Sequence, residues 1–341
     1  MSDKQQEPRT EEDMRRAAEL IVDTCFEVEE GDVVTIITDS RRSEEADMVA
    51  TVVSERGAWP VVMNNETQVR RGLQDTHFPM APPRNLHTAM VTADEIIIMT
   101  NLEWANRFAH VSAVKESCAA NARIGSVEEG FGRWPISVDD IAATIGNAKA
   151  AIAMLEGATR VRVTSPGGTD VTVNIERRPA LEVVPVKKPG AMMGPVPLWG
   201  EVAYAAVEDQ TEGTIVVDGN MLGIGVPHNV ETPITWNVEG GRYQSIEGGA
   251  EARRLRDTVR DVPGADIVGE FAFGTSDFAP LGSPSEKGRK GTVHFALGDN
   301  QNCYPGGQNT SRLHLDGVVH NATLEILDSG TFILKDGVWQ L

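Results

Sequence analysis

Val33-Val34-Thr35-Ile36-Ile37-Thr38, entered through Gly31-Asp32 and left through Asp39-Ser40-Arg41-Arg42, is the stretch on which the fold turns. Six mostly β-branched residues with no polar alternation read as a strand buried on both faces. Upstream, Met14, Ala17, Ala18, Ile21, Val22, Cys25 and Phe26 recur at helical spacing, so a helix over residues 14–28 leads into the strand. Downstream, residues 43–56 read as a second helix, Gly57 ends it, and 60–63 form a second strand. Residues 94–99 are a third apolar run, 124–127 a short fourth strand, and 138–155 a long helix rich in Ala and Ile. Strands alternating with helices imply a mostly parallel sheet covered on both faces.

The texture changes near Ala158. Residues 160–164 and 170–174 alternate in period two around the turn Ser165-Pro166-Gly167-Gly168, which predicts a hairpin. Further strands are expected at 213–217, 234–238, 291–296 and 323–327, and only 250–260 looks helical. The expected architecture is an α/β N-terminal domain, 1–158, followed by a β-rich α+β C-terminal domain, 159–341, that carries the functional site. Residues 1–10 read as a disordered lead-in, and no internal repeat is visible.

With 50 acidic against 31 basic residues in 341, the formal charge is −19. Such a surface repels phosphate backbones and anionic membrane faces, so a small molecule or short peptide is the expected partner. The polar start of the chain has no signal-peptide core, and no run approaches the roughly 18 apolar residues of a membrane span. Cys25, Cys118 and Cys303 are odd in number and far apart, which suggests reduced thiols and a cytoplasmic location.

The chain has no GxxxxGK[ST] loop and no GxSxG elbow, and its first strand runs into Asp39-Ser40-Arg41 instead of a GxGxxG turn. Histidines are more informative, with His294, His314 and His320 falling close together. In Leu313-His314-Leu315-Asp316 the two polar residues are two apart, so on a strand they project to one side. Imidazole plus carboxylate suits Zn, Mn, Co or Fe; a simple hydrogen-bonded His–Asp pair is the plainer alternative. His77, His87, His110 and His228 have no such company and read as ordinary. Glu201 and Glu270 are lone carboxylates in apolar runs, costly to bury unless paired or bound to a cation, and otherwise edge-strand residues facing water. Together with His294, His314 and Asp316 they could bind two cations, with Glu270 bridging, and two metals activate water at neutral pH.

The ordered series Gly200-Glu201, Gly213-Thr214-Ile215-Val216-Val217-Asp218-Gly219, Gly269-Glu270, His294-Phe295-Ala296-Leu297-Gly298, Gly306-Gly307 and His314-Leu315-Asp316 resembles the aminopeptidase T/aminopeptidase S family of metallopeptidases. The resemblance implies two divalent ions (Zn, Co or Mn) on Glu201, Glu270, His294, His314 and Asp316, and a homodimer. Tyr304 stands a few residues later than the family's tyrosine and would stabilise an oxyanion, while Glu286 or Asp299 would hold a proton or anchor a substrate amine. In length the chain is similar to a shorter branch that includes 2,5-dihydroxypyridine 5,6-dioxygenase, a mononuclear non-haem iron enzyme. There a histidine stands at the position of Glu270, and Glu201 has no acidic equivalent. The leading expectation is therefore an aminopeptidase-like amide hydrolase. The alternative is an Fe(II) dioxygenase that opens a hydroxylated N-heterocycle such as 2,5-dihydroxypyridine, and a relative without metal or activity is the third.

Overall fold

The computed structural model describes residues 9–185, 190, 192–226 and 228–341. The lead-in expected at residues 1–10 lies almost wholly outside them. The first sheet is parallel throughout, in the order Trp59–Asn64, Val33–Thr38, Glu95–Met99, Arg123–Val127, Met192–Val196. Alternate residues of its central strands feed two separate cores. Val34, Ile36, Ile97 and Met99 pack under Glu11–Glu19 and Ser43–Glu55, while Ile37, Ile96, Ile98 and Ile124 meet Val69, Leu86, Met90 and Trp104 on the other side. That double burial is why these strands are continuous apolar runs. The helix expected at 14–28 is α-helical over Glu11–Glu19 and widens to a π-helical stretch at Leu20–Cys25, closed by Phe26 N donating to Ile21 O. The fifth strand, Met192–Val196, was not anticipated: the chain returns from the β-rich half to extend the first sheet.

The β-rich half holds two antiparallel sheets. Eight strands form one, in the order Arg242–Glu247, Ile234–Glu239, Glu212–Val217, Asp170–Asn174, Arg160–Thr164, Thr323–Ile326, Thr331–Lys335, Val338–Trp339. The expected hairpin is there, with Val161 opposite Val173 and Val163 opposite Val171. Five strands form the other, in the order His314–Val319, Val293–Gly298, Val268–Gly274, Glu201–Ala205, Leu181–Val183. One core joins the two sheets: Val161, Val163, Val173, Ile215 and Trp236 come from the first, and Val202, Phe271, Phe273, Phe295 and Leu315 from the second. The opposite face of the five-stranded sheet turns toward the α/β half and carries the polar residues. No helix among the described residues is long and apolar enough to cross a membrane.

Candidate metal centre

Strand register explains how five distant residues meet. Gly274 pairs with Glu201, Ala272 with Ala203 and His294, Glu270 with Ala205 and Ala296, Ala296 with Asp316, and Gly298 with His314. Side chains alternate across a sheet. The aromatic and large aliphatic residues therefore fill the core below, and Glu201, Glu270, His294, His314 and Asp316 share the upper face. Between them the positions are small (Ala203, Ala205, Ala272, Ala296), which leaves room for the polar groups to converge.

All five are buried. His314 Nε2 lies 2.8 Å from Glu270 Oε2 and 3.3 Å from Asp316 Oδ1; His294 Nε2 lies 3.3 Å from Glu270 Oε1 and 3.5 Å from Glu201 Oε2. They form two potential cation sites, Glu201–Glu270–His294 and Glu270–His314–Asp316, which share Glu270. Glu201 Oε2, Glu270 Oε1, His294 Nε2 and Asp316 Oδ1 have no hydrogen-bond partner among the described residues. Burying an unsatisfied polar atom costs about 1–3 kcal/mol, more when it is charged, and cations on these donor sets would relieve that cost. The residues fit a metal of the Zn, Mn, Co or Fe type.

The two sites are not equally prepared. His314 Nδ1 donates to the Asp299 carbonyl at 2.8 Å, which fixes the tautomer and aims the Nε2 lone pair into the cluster. His294 Nδ1 has no such partner among the described residues. Asp316 Oδ2 accepts from Asn106 Nδ2 at 2.8 Å and meets Lys287 Nζ at 3.2 Å, leaving Oδ1 as the donor toward the cluster. Burial disfavours the charge on Lys287, but Asp316, Glu201 and Glu270 outweigh it and push the ammonium up to about 12. Burial likewise opposes ionisation of Glu270, and His294 and His314 more than offset it, holding the carboxyl well below its usual range. Glu201 is pushed up to about 7 by burial. A bound cation would take over the role of these protons.

Helix Leu102–Phe108 of the α/β half roofs the site. Its Asn106 reaches Asp316; just beyond it, His110 stacks on His314 with ring centroids 3.6 Å apart, and the Ala109 carbonyl accepts from Cys303 Sγ at 2.9 Å. Expected to be ordinary, His110 is instead a wall of the site, since it directly follows the roofing helix and stacks on His314. Asn106 and Lys287 were likewise missed. Tyr304 comes into the cluster, its hydroxyl 3.4 Å from His314 Nε2. Glu286 does not: its oxygens accept from Asn220 N and Gly282 N at 2.6 and 2.7 Å, and Oε1 faces His320 Nε2 at 3.3 Å. The carboxylate of Asp299 accepts from Asn302 N and Ser311 N, so only its carbonyl touches the centre. His320 stands with Glu286 and Asp218, apart from the other two histidines.

Beside the cluster is a cavity, with Leu102, Met193, Gly194 and Trp199 as apolar wall and His110, Tyr304, Glu201 and Lys287 as polar wall. A buried donor set at the foot of such a cavity, between a parallel α/β sheet and an antiparallel one, is the architecture of a metal-binding enzyme. The model of the 2,5-dihydroxypyridine 5,6-dioxygenase (NicX) family matches residues 16–269, and the chain belongs to that family. The match carries Glu201 and the cavity walls up to Trp199, ends one residue before Glu270, and leaves Lys287 and Tyr304 outside it. Two solved structures share the fold over 97% of this chain. One is 2,5-dihydroxypyridine dioxygenase from Pseudomonas putida KT2440, at 18% identity and a TM-score of 0.73 over 98% of its own chain. The other is aminopeptidase T (AmpT) from Thermus thermophilus, at 17% identity and 0.69 over 99% of its chain. None of the curated proteins matches.

Proposed function

We propose that the protein is a metal-dependent dioxygenase that opens a hydroxylated N-heterocycle of the 2,5-dihydroxypyridine type. One observation carries this. Of the walls of the cavity at the metal cluster, Leu102, Ala105, Asn106, His110, Met193 and Trp199 fall inside the stretch matched by the dioxygenase family, while Pro284, Lys287 and Tyr304 lie beyond it. Trp199 and Met193 offer aromatic and thioether surfaces for a flat ring. His110 Nδ1, buried and without a hydrogen-bond partner among the described residues, and the Tyr304 hydroxyl are placed to hold ring hydroxyls. Glu270, His314 and Asp316 would hold the ion, and Fe(II) there would supply the one-electron chemistry that lets dioxygen react with a singlet organic ring. Helix Leu102–Phe108 lies over the cluster, with Asn106 on Asp316.

The test is oxygen uptake by the Fe(II)-loaded chain with 2,5-dihydroxypyridine, followed alongside loss of the ring's ultraviolet absorbance. One dioxygen consumed per ring opened supports the assignment; an iron-loaded protein that takes up no oxygen with this ring or its hydroxylated analogues overturns it. A second reading, amide hydrolysis by two ions, is favoured by one observation: Glu201, Glu270 and His294 form a second donor set on the shared glutamate. Release of an amino acid from a dipeptide without oxygen, by the Zn-, Co- or Mn-loaded chain, would establish it. We also propose a homodimer, which sedimentation of the full chain would check.

A further inference from the structure

Beyond His110 lies a second recess that the proposed reaction does not use. Met80 and Val111 face it from the α/β half, Asn302 and Leu313 from the β-rich half. His110 lines both this recess and the cavity at the metal cluster, whereas His314, stacked on it, lines the recess and not the cavity. The stacked pair is thus a partition between the two spaces.

Two arginines face the recess, and among the described residues neither has an acid within ion-pair distance. Arg107 is 8% exposed, and its guanidinium donates to the Gly72 and Thr76 carbonyls. The Gly72 carbonyl belongs to helix Glu66–Gln74, which explains the anchorage, but a helix end offers only about half a charge. Glu103 and Asp75 act on Arg107 from farther away. Arg312 is exposed, and its guanidinium meets the His77 ring nitrogen Nδ1 at 3.0 Å. Asp299 is the carboxylate on this wall, and its two oxygens already accept from Asn302 N and Ser311 N. In a chain with 50 acids against 31 bases, a recess with two cations left unmatched is built to draw in an anion.

Either reaction at the cluster creates such an anion. Opening a ring beside a hydroxyl-bearing carbon breaks one C–C bond and the O–O bond, and each carbon gains one oxygen. The hydroxyl-bearing carbon becomes a carboxylic acid and its neighbour a formyl group. Hydrolysis of an amide breaks the C–N bond, placing the hydroxyl of water on the acyl carbon and its proton on nitrogen. Each acid ionises at neutral pH.

We propose that the recess is a carboxylate subsite, formed by Arg107 and Arg312, that takes the acid produced at the metal cluster on the far side of the His110–His314 partition. This rests on the cluster being the reacting centre and is independent of which reaction occurs there. The guanidinium groups meet the carboxylate with charge-assisted hydrogen bonds.

Binding by the full-length chain, both Zn(II)-loaded and metal-stripped, tests this. The probes are maleamate (an open-chain amide acid), free leucine, and the neutral diamide maleamide, followed by calorimetry at low salt and by backbone amide NMR. At least one of the two acids should bind with or without Zn(II), maleamide should not, and the amides of Val111, Ser112, Ser311 and Leu313 should shift. Binding of maleamate assigns the carboxylate to ring opening and binding of leucine to amide hydrolysis; either supports the subsite. Arg312→Gln should weaken binding about threefold, and Arg107→Gln at least about tenfold. Arg107 also anchors two carbonyls, so the exposed Arg312→Gln keeps the test decisive if Arg107→Gln fails to fold. Equal affinity in Arg312→Gln, equal binding of maleamide, or shifts confined to residues 193–201 would overturn the subsite. No binding of any probe would also overturn it, while leaving the metal centre and its reaction standing.

Discussion

Asn106→Ala tests whether the α/β half tunes the metal centre or merely covers it. Asn106 Nδ2 donates to Asp316 Oδ2 at 2.8 Å from a half-buried position. A hydrogen bond to a charged group contributes about 1.5–3 kcal/mol. Loss of a residue that orients a metal ligand typically lowers metal affinity by about 10–100-fold, or about 1.4–2.7 kcal/mol, so the two scales agree. Because Lys287 still engages the same oxygen at 3.2 Å, the lower end is expected, about tenfold. Competition against a chromophoric chelator, with Zn(II) as probe, reads this directly, and thermal melting of the apo form reports any general loosening. Affinity within about twofold of wild type, in a protein that melts normally, would refute the idea that Asn106 holds Asp316 in its ligating pose.

Three further changes probe other links. Gly194→Ala places a Cβ 2.4 Å from the Trp199 ring, so the indole must move out of the cavity wall; urea unfolding should show a loss of about 1–3 kcal/mol, and KM should rise more than kcat falls. Phe271→Ala removes a fully buried ring that packs with Tyr204, Phe273 and Phe295 between the two antiparallel sheets; urea unfolding should show a loss of about 3–5 kcal/mol, and a loss under about 1 would mean the sheets do not share that core. Asp328 accepts from Thr159 Oγ1, Thr159 N and Arg160 N, which lowers its carboxyl from 3.8 to about 2. A depressed acid stabilises the fold above its unfolded pKa and loses that contribution as pH falls through the folded one. The wild type should therefore melt higher than Asp328→Asn at pH 6, and the gap should close between about pH 4 and 2; a gap independent of pH would contradict this.

How much was legible follows from which faces are buried. Val33–Thr38 and Glu95–Met99 are covered on both sides, so each reads as an unbroken apolar run. His314 and Asp316 were readable as a same-side pair because strand periodicity is two. The strand Val268–Gly274 was harder: only its register shows that Glu270 and Ala272 face the site while Phe271 and Phe273 fill the core. Asn106, 210 residues from Asp316, shows no motif that would betray the contact. His110 sits beyond a short helix with no histidine or carboxylate within five residues of it in sequence, and Lys287 looks like any lysine in a polar turn. Tertiary contact alone assigns all three. Glu286 shows the reverse error, since an acid close in sequence to the site spends both oxygens on backbone amides and His320.

The central claim is that Glu270, His314 and Asp316 hold a metal ion. The most direct test is a crystal of the full chain grown with Mn(II), with diffraction recorded where manganese scatters anomalously. An anomalous peak within bonding distance of Glu270, His314 Nε2 and Asp316 Oδ1, absent in Glu270→Gln, is the result this account predicts. A wild-type crystal with no peak there, or with its only peak elsewhere, would contradict it.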